Sequence, residues 1–167
     1  MTPPALRIAR ATEREAPIVL SLIQALAEYE RMSDECVATE AALRQTLFGP
    51  EPAAEVVIGY VGSEPVGFAL FFQNYSTFLA RPGLYLEDLF VKPEWRRHGF
   101  GRALLGHLAA IAVERGYGRM EWSVLDWNAP SIAFYKTLGA RAMDEWTTMR
   151  VTGEALRALS QSQEPKA

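Results

Sequence analysis

Apolar and polar residues alternate along Leu6-Arg7-Ile8-Ala9, the period-two signature of a short strand. The period then lengthens. Val19, Leu22, Ile23, Leu26 and Tyr29 recur at helical spacing, which predicts an amphipathic helix opened by Thr12 and ending near Arg31. A second, shorter helix is expected from Thr39 to Phe48, stopped by Gly49-Pro50, and the segment between the two is polar and acidic with Asp34, Glu35 and Glu40.

Glu55 to Val61 and Val66 to Tyr75 are rich in Val, Ile and Phe and flank Gly62-Ser63-Glu64-Pro65, so they read as a hairpin. A third strand, Leu84 to Val91, follows the Arg81-Pro82-Gly83 turn. The loop from Lys92 to Gly99 leads to a helix over about Gly101 to Arg115, with Leu104, Leu105, Leu108, Ile111 and Ala112 on one face. Next come a strand from Arg119 to Val124 and a short helix capped by Asn128 and closed by Gly139. Trp146 to Val151 is expected as a last strand. Hairpins followed by strand–helix alternation predict an α+β (α/β layered) fold, a mixed sheet with helices on both faces.

The chain of 167 residues, 18.6 kDa, suits one domain over residues 1–160 followed by a polar tail at 161–167. A net charge of −3 and a pI near 5.5 argue against a nucleic-acid or anionic-membrane partner, which would need a basic face. Cys36 is the single cysteine and there are two histidines, too few for a disulfide or an ordinary zinc site. With no export segment and no membrane span in the pattern, a cytoplasmic setting is expected.

Three places break the local rules. Arg96-Arg97-His98-Gly99-Phe100-Gly101-Arg102 lies between a strand and a helix. Glycines there admit close backbone approach, and helix-opening N–H groups suit an anion such as phosphate. A dinucleotide fingerprint would need glycine where Leu104 stands, and the Gly-Lys-Ser/Thr ending of a P-loop is missing; a solvated basic turn is the plainer alternative. Glu87-Asp88 interrupts the apolar strand Leu84-Tyr85-Leu86-Glu87-Asp88-Leu89-Phe90-Val91, and successive strand residues point to opposite faces. One carboxylate therefore meets a packed or pocketed side, unless a bulge redirects it, and could act as a base or hold a cation; a wet edge strand is the alternative. The third place, Asp126-Trp127-Asn128-Ala129-Pro130-Ser131 with Phe134-Tyr135-Lys136, is by itself explained as a capped helix.

Together these segments resemble the GNAT superfamily of acetyl-CoA-dependent N-acetyltransferases. Arg96-x-x-Gly99-x-Gly101 matches its Arg/Gln-x-x-Gly-x-Gly/Ala pattern at a strand-to-helix junction, and Asn128…Phe134-Tyr135…Gly139 matches its later block. Within the superfamily the likeness is to the diamine (spermidine/spermine) and thialysine acetyltransferase group, carried by residues 84–91, residues 127–136 and Ala27-Glu28-Tyr29-Glu30. The resemblance spans about residues 5–150 and is strongest from 84 to 140. It implies a mostly antiparallel sheet with a splayed, cofactor-binding strand pair.

The resemblance further implies that Leu89, Phe90 and Val91 offer backbone groups to the pantetheine arm of acetyl-CoA. Arg96, Arg97, His98, Gly99, Phe100, Gly101 and Arg102 would form the pyrophosphate loop, with Asn128 and Ser131 touching the cofactor further along. Tyr135 matches the acid that protonates the departing thiolate. Glu87 matches the carboxylate that binds the amine and deprotonates it through water, a needed step because an alkyl amine with a pKa of about 10 is protonated at neutral pH. A backbone N–H near Leu89 or Phe90 would stabilise the oxyanion, and no metal is required.

On the acceptor side the resemblance implies Tyr29, Glu30, Glu87, Asp88, Glu121, Ser123, Glu145 and Trp146, whose carboxylates suit a small cationic amine; for Glu121 and Glu145, solvent-facing charge is the alternative. Asn74-Tyr75-Ser76-Thr77-Phe78 stands where the polyamine enzymes carry an acid and a tryptophan, which leaves thialysine, lysine-like and other small amines open. A homodimer is expected from the apolar sheet edges and the Trp146 region. The competing functions are a non-catalytic acyl-CoA sensor and a protein or peptide acetyltransferase.

Overall fold

The computed structural model describes residues 5–161. These form two compact units that meet in sequence between Ser123 and Val124.

The first unit is built on one five-stranded sheet in the order β1 (Leu6–Arg10), β2 (Glu55–Val61), β3 (Glu64–Ser76), β4 (Arg81–Val91) and β5 (Met120–Trp122). The first four strands pair antiparallel, and β5 joins β4 in parallel. A parallel neighbour requires a crossover, supplied by α3 (Phe100–Glu114). Before β2 come α1 (Ala16–Tyr29) and α2 (Glu40–Phe48). Thr12 opens the first helical segment as expected, but through a single turn of 3-10 helix at Glu13–Glu15. Its N–H and hydroxyl both donate to the Glu15 carboxylate, at 2.7 and 2.6 Å, and hold that carboxyl below the usual range.

Each face of the sheet has its own apolar layer. On one, Val56, Ile58, Phe68 and Phe90 pack with Val19, Leu22 and Leu26 of α1 and Leu43 and Leu47 of α2. Phe71, Leu84 and Leu86 are equally buried but stand outside that cluster, on the side where α3 brings Leu104, Leu105 and Leu108 against β4. Each such side chain contributes roughly 1.5–3 kcal/mol by leaving water.

The second unit contains α4 (Ala129–Thr137) and α5 (Gly153–Ser160). Asn128 caps α4 by accepting from Ser131 N–H at 3.3 Å, and Gly139 beyond its end has φ +88, both as the sequence predicts. The strand expected at Trp146 to Val151 does not form: residues 141–151 carry no ladder and are exposed. An apolar, β-favouring run becomes a strand only when another backbone pairs its N–H and C=O groups. The segment after it is the helix α5, which patterning had not indicated. Of the polar tail at 161–167, only Gln161 lies among the described residues.

Candidate active site

The pair Glu87-Asp88 sits on a β-bulge. Cross-strand partners run Leu89↔Ala69 and Asp88↔Leu70, then jump to Leu86↔Phe71, so Glu87 is the extra residue. Directly opposed residues share a face. Leu86 thus joins Phe71 on the α3 side, whereas Asp88, opposite Leu70, turns to the α1 side with Phe90. Glu87 is exposed and Asp88 half-buried. Burial, then the charges of Glu87 and Glu30, push the Asp88 carboxyl up to about 6. Burial raises Glu30 as well. The end of α1 therefore brings Glu30 into the field of Asp88.

Pairing of β4 with β5 covers Leu84↔Met120, Tyr85↔Glu121 and Leu86↔Trp122 and stops immediately before Glu87. β5 is correspondingly shorter than the Arg119 to Val124 strand expected from sequence. Beyond Leu86 the outer edge of β4 is open among the described residues. Which groups line it follows from ladder alternation. Lys92 N–H donates to Val66 C=O at 2.9 Å, so in steps of two Phe90 and Asp88 also direct their main chain to β3. Of the three residues expected to offer backbone groups at this edge, Leu89 and Val91 direct theirs outward while Phe90 does not, because its main chain is paired with β3, and the Val91 carbonyl accepts from Arg96 Nε at 3.0 Å.

Arg96 is a brace between elements. Its guanidinium lies 4.2 Å from the Tyr29 ring centre and 5.8 Å from that of Phe90, tying the loop to the end of α1. Further along, Trp95 stacks on Phe100 at 6.1 Å and donates its indole N–H to Glu64 at 3.1 Å, while the Lys92 ammonium lies 3.6 Å from the same carboxylate. His98 packs on Phe100 at 5.6 Å, and its Nδ1 is 2.9 Å from the Arg96 carbonyl oxygen. Against this fixed base Arg97 has φ +65 and Gly99, the residue before α3, φ +79. Left-handed backbone at a loop–helix junction aims successive N–H groups into one concavity, where they and the helix dipole favour an anion. A Cβ on Gly99 or Gly101 would meet nothing within 4 Å, so space above the loop is open to a ligand, and the exposed Arg97 and Arg102 flank it. A thioester cofactor with an amide-bearing arm and a pyrophosphate fits this combination of open edge and anion-binding turn.

The other end of the β4–β5 pair is closed by a cluster that sequence reasoning missed. Asn74 opposes Gly83, and its Nδ2 donates to Glu121 Oε1 at 3.2 Å. Arg119 Nε is 2.8 Å from that oxygen, an ion pair whose N–H direction falls short of a hydrogen bond. Glycine is required at 83: a Cβ would stand 2.5 Å from Asn74 Oδ1 and 3.1 Å from Arg119 Cγ. Nothing in local sequence signals an interaction between residues 74 and 119. Between this cluster and the carboxylates, Tyr85 OH lies 3.0 Å from Ser123 Oγ, and its ring packs on Phe72 at 5.2 Å. Asn74, Tyr85, Glu121, Ser123 and Asp88 thus share one face of the sheet.

In the second unit Tyr135 is half-buried and packs on Phe134 at 5.5 Å, Asn128 is buried in its cap, Ser131 is half-buried, and Glu145 and Trp146 are exposed. Among the described residues no cluster of His, Cys, Asp and Glu is arranged to hold a metal, and no helix is long and apolar enough to cross a membrane.

Comparison with known proteins agrees with this architecture. Residues 20–140 match the Acetyltransferase (GNAT) family. A thialysine N-epsilon-acetyltransferase of Sus scrofa is 38% identical over 164 aligned positions, covering 92% of this chain and 96% of that protein. An L-ornithine N5-acetyltransferase of Arabidopsis thaliana is 34% identical over 198, covering 92% and 87%. Among solved structures, an integron cassette protein from the mobile metagenome of V. cholerae superposes with a TM-score of 0.80 at 25% identity, covering 94% of this chain and 98% of that one. With the open β4 edge, the glycine turn and a family match over most of its length, this chain belongs to the GNAT family of N-acetyltransferases.

Proposed function

We propose that the chain transfers the acetyl group of acetyl-CoA to a primary amine of a small cationic acceptor, by direct attack while both substrates are bound. The observation that carries this reading is the acidic group Glu30, Glu87 and Asp88 beside the point where β4 and β5 part. Carboxylates there would attract an ammonium and receive its proton next to the open edge. The relatives named for thialysine and L-ornithine acetylation support an acceptor of this size and charge.

Acetyl-CoA, when bound, supplies the acetyl group as an activated thioester. The outward main-chain groups of Leu89 and the outward N–H of Val91 would hold its arm by strand-like hydrogen bonds, and the turn from Arg97 to Arg102 its pyrophosphate. Glu87 takes the ammonium proton through water. Leu89 N–H donates to the oxygen of the reacting carbonyl, where negative charge grows. Tyr135 donates a proton to the departing sulfur, and Asn128 and Ser131 contact the cofactor. Each of these roles follows the family resemblance. A homodimer belongs to the same proposal, supported by the exposed Trp146, Met149 and Val151, and so does a cytoplasmic setting.

The test is release of free CoA thiol from acetyl-CoA in the presence of ornithine, lysine, thialysine, putrescine, spermidine, an aminoglycoside or a short peptide. Turnover with one or more of the small amines is expected. Binding of acetyl-CoA with no turnover would replace this reading by a sensor, and turnover with the peptide alone by a protein acetyltransferase.

A further inference from the structure

The face of the sheet that carries the acidic group has a second end, where a guanidinium sits beside a carboxylate. Side chains of Asp88, Tyr85 and Glu121 share it, and so does Arg119, two residues before Glu121 on the β5 side. The Arg119 guanidinium is half-exposed, with Nε against Glu121 Oε1 at 2.8 Å and Nη2 donating to the Tyr75 carbonyl at 3.4 Å. Its stem lies over Gly83, beside the buried Asn74 Oδ1, so it is held in place rather than free to sweep through solvent.

This arrangement changes what Glu121 can do. One of its oxygens already receives both the Arg119 cation and the Asn74 amide, so its charge is compensated within the protein. A second ammonium, such as the far end of a diamine, would find a guanidinium instead of a free carboxylate. A carboxylate arriving at the same place would meet the guanidinium donors that remain beyond Nε, which faces Glu121, and the Nη2 hydrogen given to Tyr75. On the unbulged strand β3 the partners of Gly83, which the Arg119 stem covers, and of Asp88 are Asn74 and Leu70, four residues apart, a span of about 13 Å at strand rise. A lysine-like or ornithine-like molecule in extended form, with a hydrogen bond at each end, matches that span.

Resting on the acetyltransferase reading above, we propose that Arg119 is a specificity-determining residue that binds the carboxylate of the acceptor, so that amino acids with a terminal amine are preferred to the diamines that lack the carboxylate. The terminal amine then lies toward Glu87 and Asp88 and the carboxylate toward Arg119. Diamines are disfavoured twice, by losing a charge-assisted hydrogen bond and by placing an ammonium near a guanidinium.

The experiment compares kcat/KM for ornithine with putrescine and for lysine with cadaverine, which differ only by the carboxylate. It is run on the parent chain and on Arg119→Gln and Arg119→Lys, with melting temperatures recorded for all three. The parent is expected to prefer each amino acid. Arg119→Gln should shrink the amino-acid-to-diamine ratio by about 10- to 100-fold, mainly through the KM of the amino acid, and Arg119→Lys should restore part of it. A parent that acetylates diamines as well as amino acids, or an Arg119→Gln variant that slows both classes by the same factor, would overturn the assignment while leaving the acetyltransferase reading intact. Silence of the parent with every amine would overturn both.

Discussion

Leu86 and Asp88 stand two residues apart on β4 yet face opposite sides of the sheet, because Glu87 is looped out between them. Strand residues two apart normally share a face. The bulge lets one strand serve the α3 core with Leu84 and Leu86, then present Asp88 on the α1 side and leave the β5 partner behind. The acidic group, the open main-chain edge and the end of β4–β5 pairing therefore coincide.

Asp88 should make stability and activity depend on pH. Its carboxyl is pushed up to about 6 from 3.8, so the native state holds the proton more tightly than the unfolded chain does. The stabilisation from this group is fully present at low pH and is lost as pH rises through about 4 to 6. Asp88→Asn should therefore gain more Tm relative to the parent near pH 8 than near pH 4. A thermal-shift series across that range checks it, and equal differences at both ends would exclude Asp88 as the source.

Tyr135→Phe tests proton delivery to sulfur. Turnover should fall about 10²- to 10⁴-fold, while the dissociation constant for acetyl-CoA by calorimetry stays within a few-fold of the parent. Parent-like turnover would remove Tyr135 as the acid.

Gly99 and Gly101 should separate folding from ligand binding. Alanine at 99 meets no atom but must adopt φ +79, costing about 1 kcal/mol, so Tm should drop. Alanine at 101 stands in the first turn of α3, in open space, and should stabilise the chain by roughly 0.5–1 kcal/mol. If the pyrophosphate lies over this turn, both variants bind acetyl-CoA more weakly. A Gly101→Ala protein with raised Tm and undiminished affinity would move the phosphate site elsewhere.

Arg96 contributes as a brace. Arg96→Leu loses the contact with Tyr29 and the bond to the Val91 carbonyl, and should cost about 1–3 kcal/mol in urea unfolding. It should also raise the KM for acetyl-CoA, since Val91 borders the open edge. A normal unfolding midpoint with raised KM would instead assign the guanidinium directly to phosphate.

Local pattern was enough for most of the elements. Glu55 to Val61 appears as a strand with the expected ends, Thr39 and Asn128 cap the helices they precede, and the glycine turn lies between β4 and α3. Such features depend on side-chain periodicity and on the few residues that suit a cap or a positive φ, and both are written into neighbouring positions. The pairing at Trp146 to Val151 was not available in the same way, because a strand exists only with a partner backbone. The sequence by itself also marked Glu87-Asp88 as anomalous and the glycine-containing segment from Arg96 to Arg102 as a strand-to-helix turn that could suit an anion. Only tertiary structure decided that Glu87 is the bulged residue, that Asp88 lies within the field of Glu30, that Arg96 lies on Tyr29, and that Asn74 and Arg119 converge on Glu121 across Gly83. These outcomes depend on register between strands and on approach between residues as much as 47 positions apart, which no local propensity encodes.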